Sequence, residues 1–134
     1  MIEIRDNGAC RVEEVLPLYA AVGWTNYTDR PDMLSTALDA SLLTLGAYDG
    51  GQLVGLLRAV GDGASILLVQ DLLVLPDYQR RGIGTRLMRT AMERFAEVYQ
   101  FQLMTDDTPR TVAFYRSLGL IPAEELGCRA FVRG

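Results

Sequence analysis

Beyond Ser65 the chain runs to Leu75 through apolar residues interrupted only by Gln70 and Asp71. Such a run is too apolar for a strand with one wet face and suits the centre of a sheet covered on both faces. The next elements must therefore help to cover it. Thr85 to Tyr99 places Leu87, Met88, Ala91, Met92 and Phe95 on one helical face, with Arg86, Arg89, Arg94 and Glu97 around the rest, the pattern of an amphipathic helix. Phe101 to Thr105 then reads as another strand. Strand, helix and strand in this order form a crossover, which implies a mixed sheet packed between helices.

The first half reads as an antiparallel lead-in. Ile2 to Arg5 suits an edge strand, and Val12, Val15, Leu16 and Tyr19 recur at helical spacing up to Gly23. Trp24 to Arg30 is an aromatic-rich loop, after which Asp29-Arg30-Pro31 starts a second helix reaching about Ser41. Leu42 to Tyr48 and Gln52 to Val60 are strand-like and separated by Asp49-Gly50-Gly51, a hairpin signal because glycine accepts positive φ. Gly61-Asp62-Gly63 supplies the next turn. Pro109 to Leu118 forms a helix closed by Gly119, and two short strands are expected around Gly127. The order is β-α-α-β-β-β-α-β-α-β-β, an α/β (α+β) class with a mixed, mostly antiparallel central sheet flanked by helices. A chain of 134 residues suits one domain, residues 1–134.

Composition removes several classes of function. The chain has no histidine, which excludes imidazole triads and the usual histidine-dependent metal sites. Cys10 and Cys128 lie far apart without Cys-x-x-Cys spacing, so neither a zinc site nor a disulfide framework is expected, and both read as buried, inert thiols. All basic residues are arginine, and the formal charge of −4 offers no footprint for nucleic acid. An acidic surface favours a cationic substrate instead. No apolar run approaches the roughly 20 residues needed to cross a bilayer, and Met1-Ile2-Glu3-Ile4-Arg5 lacks the form of a signal peptide. A soluble, cytoplasmic protein is expected.

The chemistry concentrates in Gln79-Arg80-Arg81-Gly82-Ile83-Gly84-Thr85, between the apolar strand and the amphipathic helix. A helix start exposes unpaired N–H groups and the positive end of the helix dipole, and Gly82 and Gly84 let the backbone approach a bulky anion. Arg80, Arg81 and Arg86 could add charge-assisted contacts to phosphates. A Gly-x-Gly alone would read first as a plain connection from strand to helix. The segment lacks Gly-x-Gly-x-x-Gly and the Lys-Ser/Thr of a P-loop, which turns the reading away from nicotinamide and nucleoside triphosphates.

Gln79-Arg80-Arg81-Gly82-Ile83-Gly84 resembles the Gln/Arg-x-x-Gly-x-Gly/Ala acetyl-coenzyme A motif of the GCN5-related N-acetyltransferases. Asp71-Leu72-Leu73-Val74-Leu75-Pro76 before it and Ala113-Phe114-Tyr115-Arg116-Ser117-Leu118-Gly119-Leu120 after it resemble the flanking segments of that family in the same order. The resemblance covers roughly residues 65 to 120. It implies a central strand that diverges from the next parallel strand, leaving backbone groups near Leu72, Leu73 and Val74 for the pantetheine arm, with Gln79 to Thr85 on the pyrophosphate. Main-chain recognition explains how apolar residues can build such a site. Acetyl-coenzyme A is thus the implied cosubstrate.

The same resemblance implies a role for Tyr115 as the acid that protonates the departing thiolate, beside its cofactor contact. A phenol, with a pKa near 10, keeps its proton at neutral pH. Packing beside Phe114 is the alternative role. Asp71 is the one carboxylate in the apolar run, and an idle buried charge is costly. It is read as base, as amine contact or as anchor for the loop. It resembles an acidic position of the polyamine N-acetyltransferases, which carry Glu-Asp where this chain has Gln70-Asp71, while Leu68 stands where histone acetyltransferases carry their base. Thr108 stands where many members have an asparagine near the cofactor.

Acceptor recognition is assigned to the early helices and their loop. Trp24 and Tyr27 could form an apolar wall, with Asp29, Asp32 and Asp71 supplying negative charge. The expected partner is an amine, small molecule or peptide, with no nucleic acid, membrane or metal, and a homodimer is compatible with this reading. A coenzyme A-binding regulatory module with little transferase activity is the alternative, suggested by Gln70.

Overall fold

The computed structural model describes residues 1–6 and 10–134. Its fold divides into two compact units, Met1–Met104 and Thr105–Gly134.

In the first unit, β1 (Ile2–Asp6) leads to α1 (Val12–Ala21), α2 (Thr25–Thr28) and α3 (Pro31–Asp39), followed by β2 (Leu43–Asp49), β3 (Gln52–Gly61) and β4 (Ile66–Val74). A 3-10 turn at Pro76–Tyr78 then precedes α4 (Ile83–Arg94) and β5 (Gln100–Leu103). The five strands stand in chain order. Strands β1 to β4 pair antiparallel, and β4 pairs with β5 in parallel, so the mixed sheet and its crossover form as the sequence implies. Asp49 pairs with Gln52 across the two-residue turn Gly50-Gly51, where Gly50 has φ 61°, the left-handed conformation expected there.

The helices cover opposite faces of the sheet. Val15, Leu18 and Tyr19 of α1 and Leu34 and Leu38 of α3 form one core with Leu56 and Leu73. Full burial of each such leucine contributes about 1.5–3 kcal/mol. On the other face, a Cβ at Gly55 would lie 3.2 Å from Ile83 Cγ2, so a side chain there would press against α4. The helix buries Ile83, Leu87, Met88 and Ala91 on one side.

Several boundaries differ from the sequence reading. The loop Trp24–Arg30 contains the short helix α2, and α4 begins two residues before Thr85 and ends at Arg94. Strand β5 begins at Gln100 and ends at Leu103. The apolar run is less completely covered than expected: Leu67, Val69, Asp71 and Leu73 are buried, Ile66, Leu68, Leu72 and Val74 only partly so, and Gln70 is exposed. Asp62 shapes the preceding turn by accepting from the N–H groups of Ala64 at 2.8 Å, Ser65 at 2.7 Å and Ile66 at 3.1 Å.

The second unit holds α5 (Pro109–Ser117) and a 3-10 turn at Ala123–Leu126. The two strands expected around Gly127 do not form. Gly127 has φ 77° and caps the 3-10 turn, and residues 128–134 are all exposed without regular structure. A strand needs a partner for each N–H and C=O of its ladder. Among the described residues no helix is long and apolar enough to cross a membrane.

Candidate active site

The cofactor candidates of the first unit meet at the end of β4. Pairing with β5 stops at Val69 opposite Leu103, so Gln70 to Val74 extend past the last β5 rung. On its other side β4 remains paired with β3 up to Val74 opposite Gly55, and the N–H of Leu75 donates to the Val54 carbonyl at 2.8 Å. Main-chain groups alternate sides along a strand. Since Leu75 faces β3, Leu73 does too, while the N–H and C=O of Leu72 and Val74 face the outer edge. Of the three residues named from sequence, two therefore offer main-chain groups and Leu73 fills the core.

The turn after β4 is shaped by backbone conformation. Arg80 has φ 65°, uncommon for a residue with a Cβ, and Gly82, the N-cap of α4, has φ 78°. Ile83, Gly84 and Thr85 form the first turn of α4, whose N–H groups have no intrahelical acceptor. A Cβ at Gly82 would meet nothing within 4 Å, so the space before the helix start is open. Gln79 Nε2 donates to the Val74 carbonyl at 3.1 Å, tying the turn to the outer edge of β4. The Arg81 guanidinium lies over the Tyr78 ring at 4.9 Å, and the Tyr78 hydroxyl donates to Asp49 at 2.6 Å. Arg86 points elsewhere: its guanidinium donates to the Ile2 carbonyl at 3.0 Å, so it braces β1 and does not reach back to the turn.

Asp71 lies at the centre of a buried polar network. It accepts from the Tyr19 hydroxyl at 2.6 Å, the Tyr27 hydroxyl at 3.0 Å and Arg58 Nε at 2.7 Å. The Asp71 side chain is 2% exposed and that of Arg58 5%. Arg58 also reaches the Ser41 and Tyr27 hydroxyls, both at 3.4 Å. Burial opposes the charge of Arg58, yet the Asp71 carboxylate outweighs it and the guanidinium pKa is raised. Burial, then the Asp71 charge, likewise raises the phenol pKa of Tyr19 and Tyr27. Both tyrosines stay neutral donors.

Around this network the rings of Tyr19, Trp24 and Tyr27 pack with centroids 4.9–6.2 Å apart. Trp24 and Tyr27 thus come together with Asp71. Asp29 and Asp32 do not join the network and are exposed at the end of α2 and the start of α3. Sequence reading missed Arg58. The signal was present, because Arg58 is the one charged residue of β3 as Asp71 is of β4.

In the second unit, Thr108 caps α5: its hydroxyl accepts from the Thr111 N–H at 3.3 Å and donates to Asp106 at 3.0 Å. Tyr115 packs edge-on against Phe114 with ring centroids 4.9 Å apart. Burial, then the charge of Asp106, raises its phenol pKa against an opposing hydrogen bond with Thr105. The hydroxyl therefore carries its proton throughout the neutral range.

Cys10 is half-buried and its thiol is pushed up to about 11, by burial first and then by Glu14. Cys128 is exposed, contrary to the expectation of a buried thiol, because the segment beyond Gly127 packs into no core. Among the described residues no group of three or more potential ligands could hold a metal ion.

The model of the acetyltransferase (GNAT) family matches residues 11–120. The chain belongs to the GNAT acetyltransferase family. A GNAT family acetyltransferase of Streptococcus pneumoniae TIGR4 shares 47% identity with this GNAT chain at a TM-score of 0.92, covering 99% of this chain and 97% of that one. An uncharacterized N-acetyltransferase, ycf52, of Gracilaria tenuistipitata var. liui is 29% identical over 86% of this chain. The chain spans 64% of that relative's length. The structure of AAC(6')-Iy in complex with a bisubstrate analogue, CoA-S-monomethyl-acetylneamine, shares the fold at a TM-score of 0.76 with 18% identity, covering 100% of this chain and 98% of that one.

Proposed function

We propose that this GNAT chain transfers an acetyl group from acetyl-coenzyme A directly to a primary amine. One observation carries the reading: the outer edge of β4, past its last β5 rung, runs into a turn that ends in the open N-terminus of α4. Leu72 and Val74 supply main-chain groups for the pantetheine amides. Gln79, Arg80, Arg81, Gly82, Ile83, Gly84 and Thr85 supply the pyrophosphate contacts, through N–H groups at the helix start and two guanidinium groups. Thr108, at the N-terminus of α5, is a further candidate contact. The family match runs through both compact units, which supports reading residues 1–134 as one transferase domain.

In the reaction the neutral amine nitrogen attacks the thioester carbonyl, with a β4 N–H near Val74 stabilising the oxygen as it gains charge. As the carbon–sulfur bond breaks, Tyr115 gives its proton to sulfur, and the proton released by the amine passes through water to restore the phenol. Trp24 and Tyr27 wall the acceptor site, with Asp29 contributing negative charge at its rim. Of the roles open to Asp71, the three donors on its carboxylate favour an anchor for this wall over the base. A homodimer belongs to the same reading.

Release of free thiol from acetyl-coenzyme A, measured across polyamines, amino acid derivatives, aminoglycosides and peptide amines, tests the assignment. Turnover with at least one class is expected. Calorimetric binding of coenzyme A without turnover on any amine would favour a regulatory module, and absence of binding would end the proposal.

Asp71→Asn separates anchor from base. A rise of kcat/KM with pH set by deprotonation of the acceptor should persist in the folded variant, at lower amplitude. Loss of that rise would assign proton abstraction to Asp71.

A further inference from the structure

The cofactor strand has an unusual problem of register. Leu67, Leu68, Val69, Leu72, Leu73 and Val74 place apolar side chains on both faces of β4, so the alternation that normally fixes strand pairing is missing. Strand β3 is little better, with Leu53, Val54, Leu56, Leu57, Ala59 and Val60. A one-residue slip would bury apolar groups either way.

The charged pair removes this degeneracy. Arg58 stands opposite Asp71, whereas Ala59 stands opposite Val69, so Gln70 is an extra residue on β4 and the strand bulges there. Sliding β4 by one position would set Asp71 opposite Leu57 or Ala59 and leave two buried charges without their partner. The bulge also changes which side chains face which helices. Leu73 joins the core under α1 and α3, and Asp71 bonds Tyr19 of α1. Val69 instead shares the face of Ala59, which by the two-residue period of β3 is that of Gly55 and α4.

The bulge coincides with the last β5 rung. Val69 is the final residue paired with β5, and Gln70, the extra residue, is the first beyond that rung, so the segment with an open outer edge begins at the bulge. We infer that the buried Arg58–Asp71 pair is the register lock of β4, and that Arg58 is a positioning residue which holds the main-chain groups of Leu72 and Val74 toward acetyl-coenzyme A. The inference rests on the proposed cofactor site and adds to it a residue that touches no substrate. Tyr19, Tyr27 and Ser41 complete the lock by satisfying the remaining bonding capacity of the two charged groups.

The test is the double variant Arg58→Met with Asp71→Leu. Replacing both members of a buried ion pair by apolar groups is often neutral or stabilising, whereas removing one leaves an uncompensated charge. The double variant is therefore expected to fold, with a Tm lowered only by what the buried Tyr19 hydroxyl loses with its acceptor. Two measurements are made on it. Amide hydrogen exchange should show Leu73 and Leu75, which face β3 in the native register, losing protection relative to wild type while Leu72 and Val74 gain it, as β4 samples the slipped register. Affinity for coenzyme A by calorimetry should fall at least about tenfold, or roughly 1.4 kcal/mol. A purely structural pair would change Tm and leave both readouts unmoved.

A native protection pattern in the double variant overturns the register lock, whatever the affinity does. A slipped pattern with wild-type affinity overturns the positioning role of Arg58. Should the wild-type protein itself fail to bind coenzyme A, the transferase reading and the positioning role fall together, while the exchange pattern still decides whether the pair sets the register. If the double variant does not fold, the same two readouts are taken on Arg58→Lys, which keeps the charge but cannot span Asp71, Ser41 and Tyr27 together. Native protection and wild-type affinity are expected there, and loss of either with Tm unchanged would overturn the assignment of the lock to the charge pair.

Discussion

Tyr115→Phe should lower turnover by about 10²–10³-fold with little change in coenzyme A affinity. The expectation rests on what the substitution leaves intact. The ring packs edge-on against Phe114, and phenylalanine preserves that contact. What disappears is a proton held in place by burial and by Asp106, at a group that family resemblance sets beside the departing sulfur. Steady-state turnover and direct binding are measured together, on protein shown to be folded, under conditions where chemistry limits the rate. Full turnover in that variant would reduce Tyr115 to a packing residue and pass sulfur protonation to water or another group.

Gly82→Trp is the second large effect, with coenzyme A affinity expected to fall about 100-fold or more, roughly 3 kcal/mol. Gly82 sits at the N-cap of α4 with open space in front of it, so an indole there projects into the volume assigned to the pyrophosphate. Its φ of 78° adds a complication, since any other residue is strained there by about 1–2 kcal/mol. Gly82→Ala is the control. It carries the same backbone strain and a Cβ that meets nothing within 4 Å, so its Tm should fall while its affinity stays within a few-fold of wild type. Equal affinities for wild type and a folded Gly82→Trp would remove the turn from the cofactor site.

The register lock changes how Asp71 is understood. A lone carboxylate in an apolar strand reads from sequence as a candidate base, because burying a charge without function is expensive. The structure supplies another way to meet that cost: a guanidinium on the neighbouring strand and two phenols from α1 and α2. The same carboxylate links β4, the proposed cofactor strand, to the helices proposed to hold the acceptor. Tyr27 belongs to that link, and its hydroxyl is shared between Asp71 at 3.0 Å and Arg58 at 3.4 Å.

By itself, the sequence determined the features that depend on near neighbours along the chain. The hairpin at Asp49-Gly50-Gly51 comes from glycine's tolerance of positive φ, and α4 from apolar residues at helical spacing preceded by a glycine-led turn. The family was legible for the same reason, since Gln79 to Gly84 and the segments around Asp71 and Tyr115 are contiguous stretches. Tertiary structure decided whatever needed a partner from elsewhere. Two short strands are expected around Gly127, yet strands form only where another edge meets their N–H and C=O groups, and residues 128–134 remain exposed. The bulge at Gln70 was equally hidden, because β4 is apolar on both faces and its register depends on one arginine 13 residues earlier in the chain. A buried charge finds its lowest free energy through the partner it meets in space, and strand pairing brings Arg58 to Asp71 only once the sheet has formed.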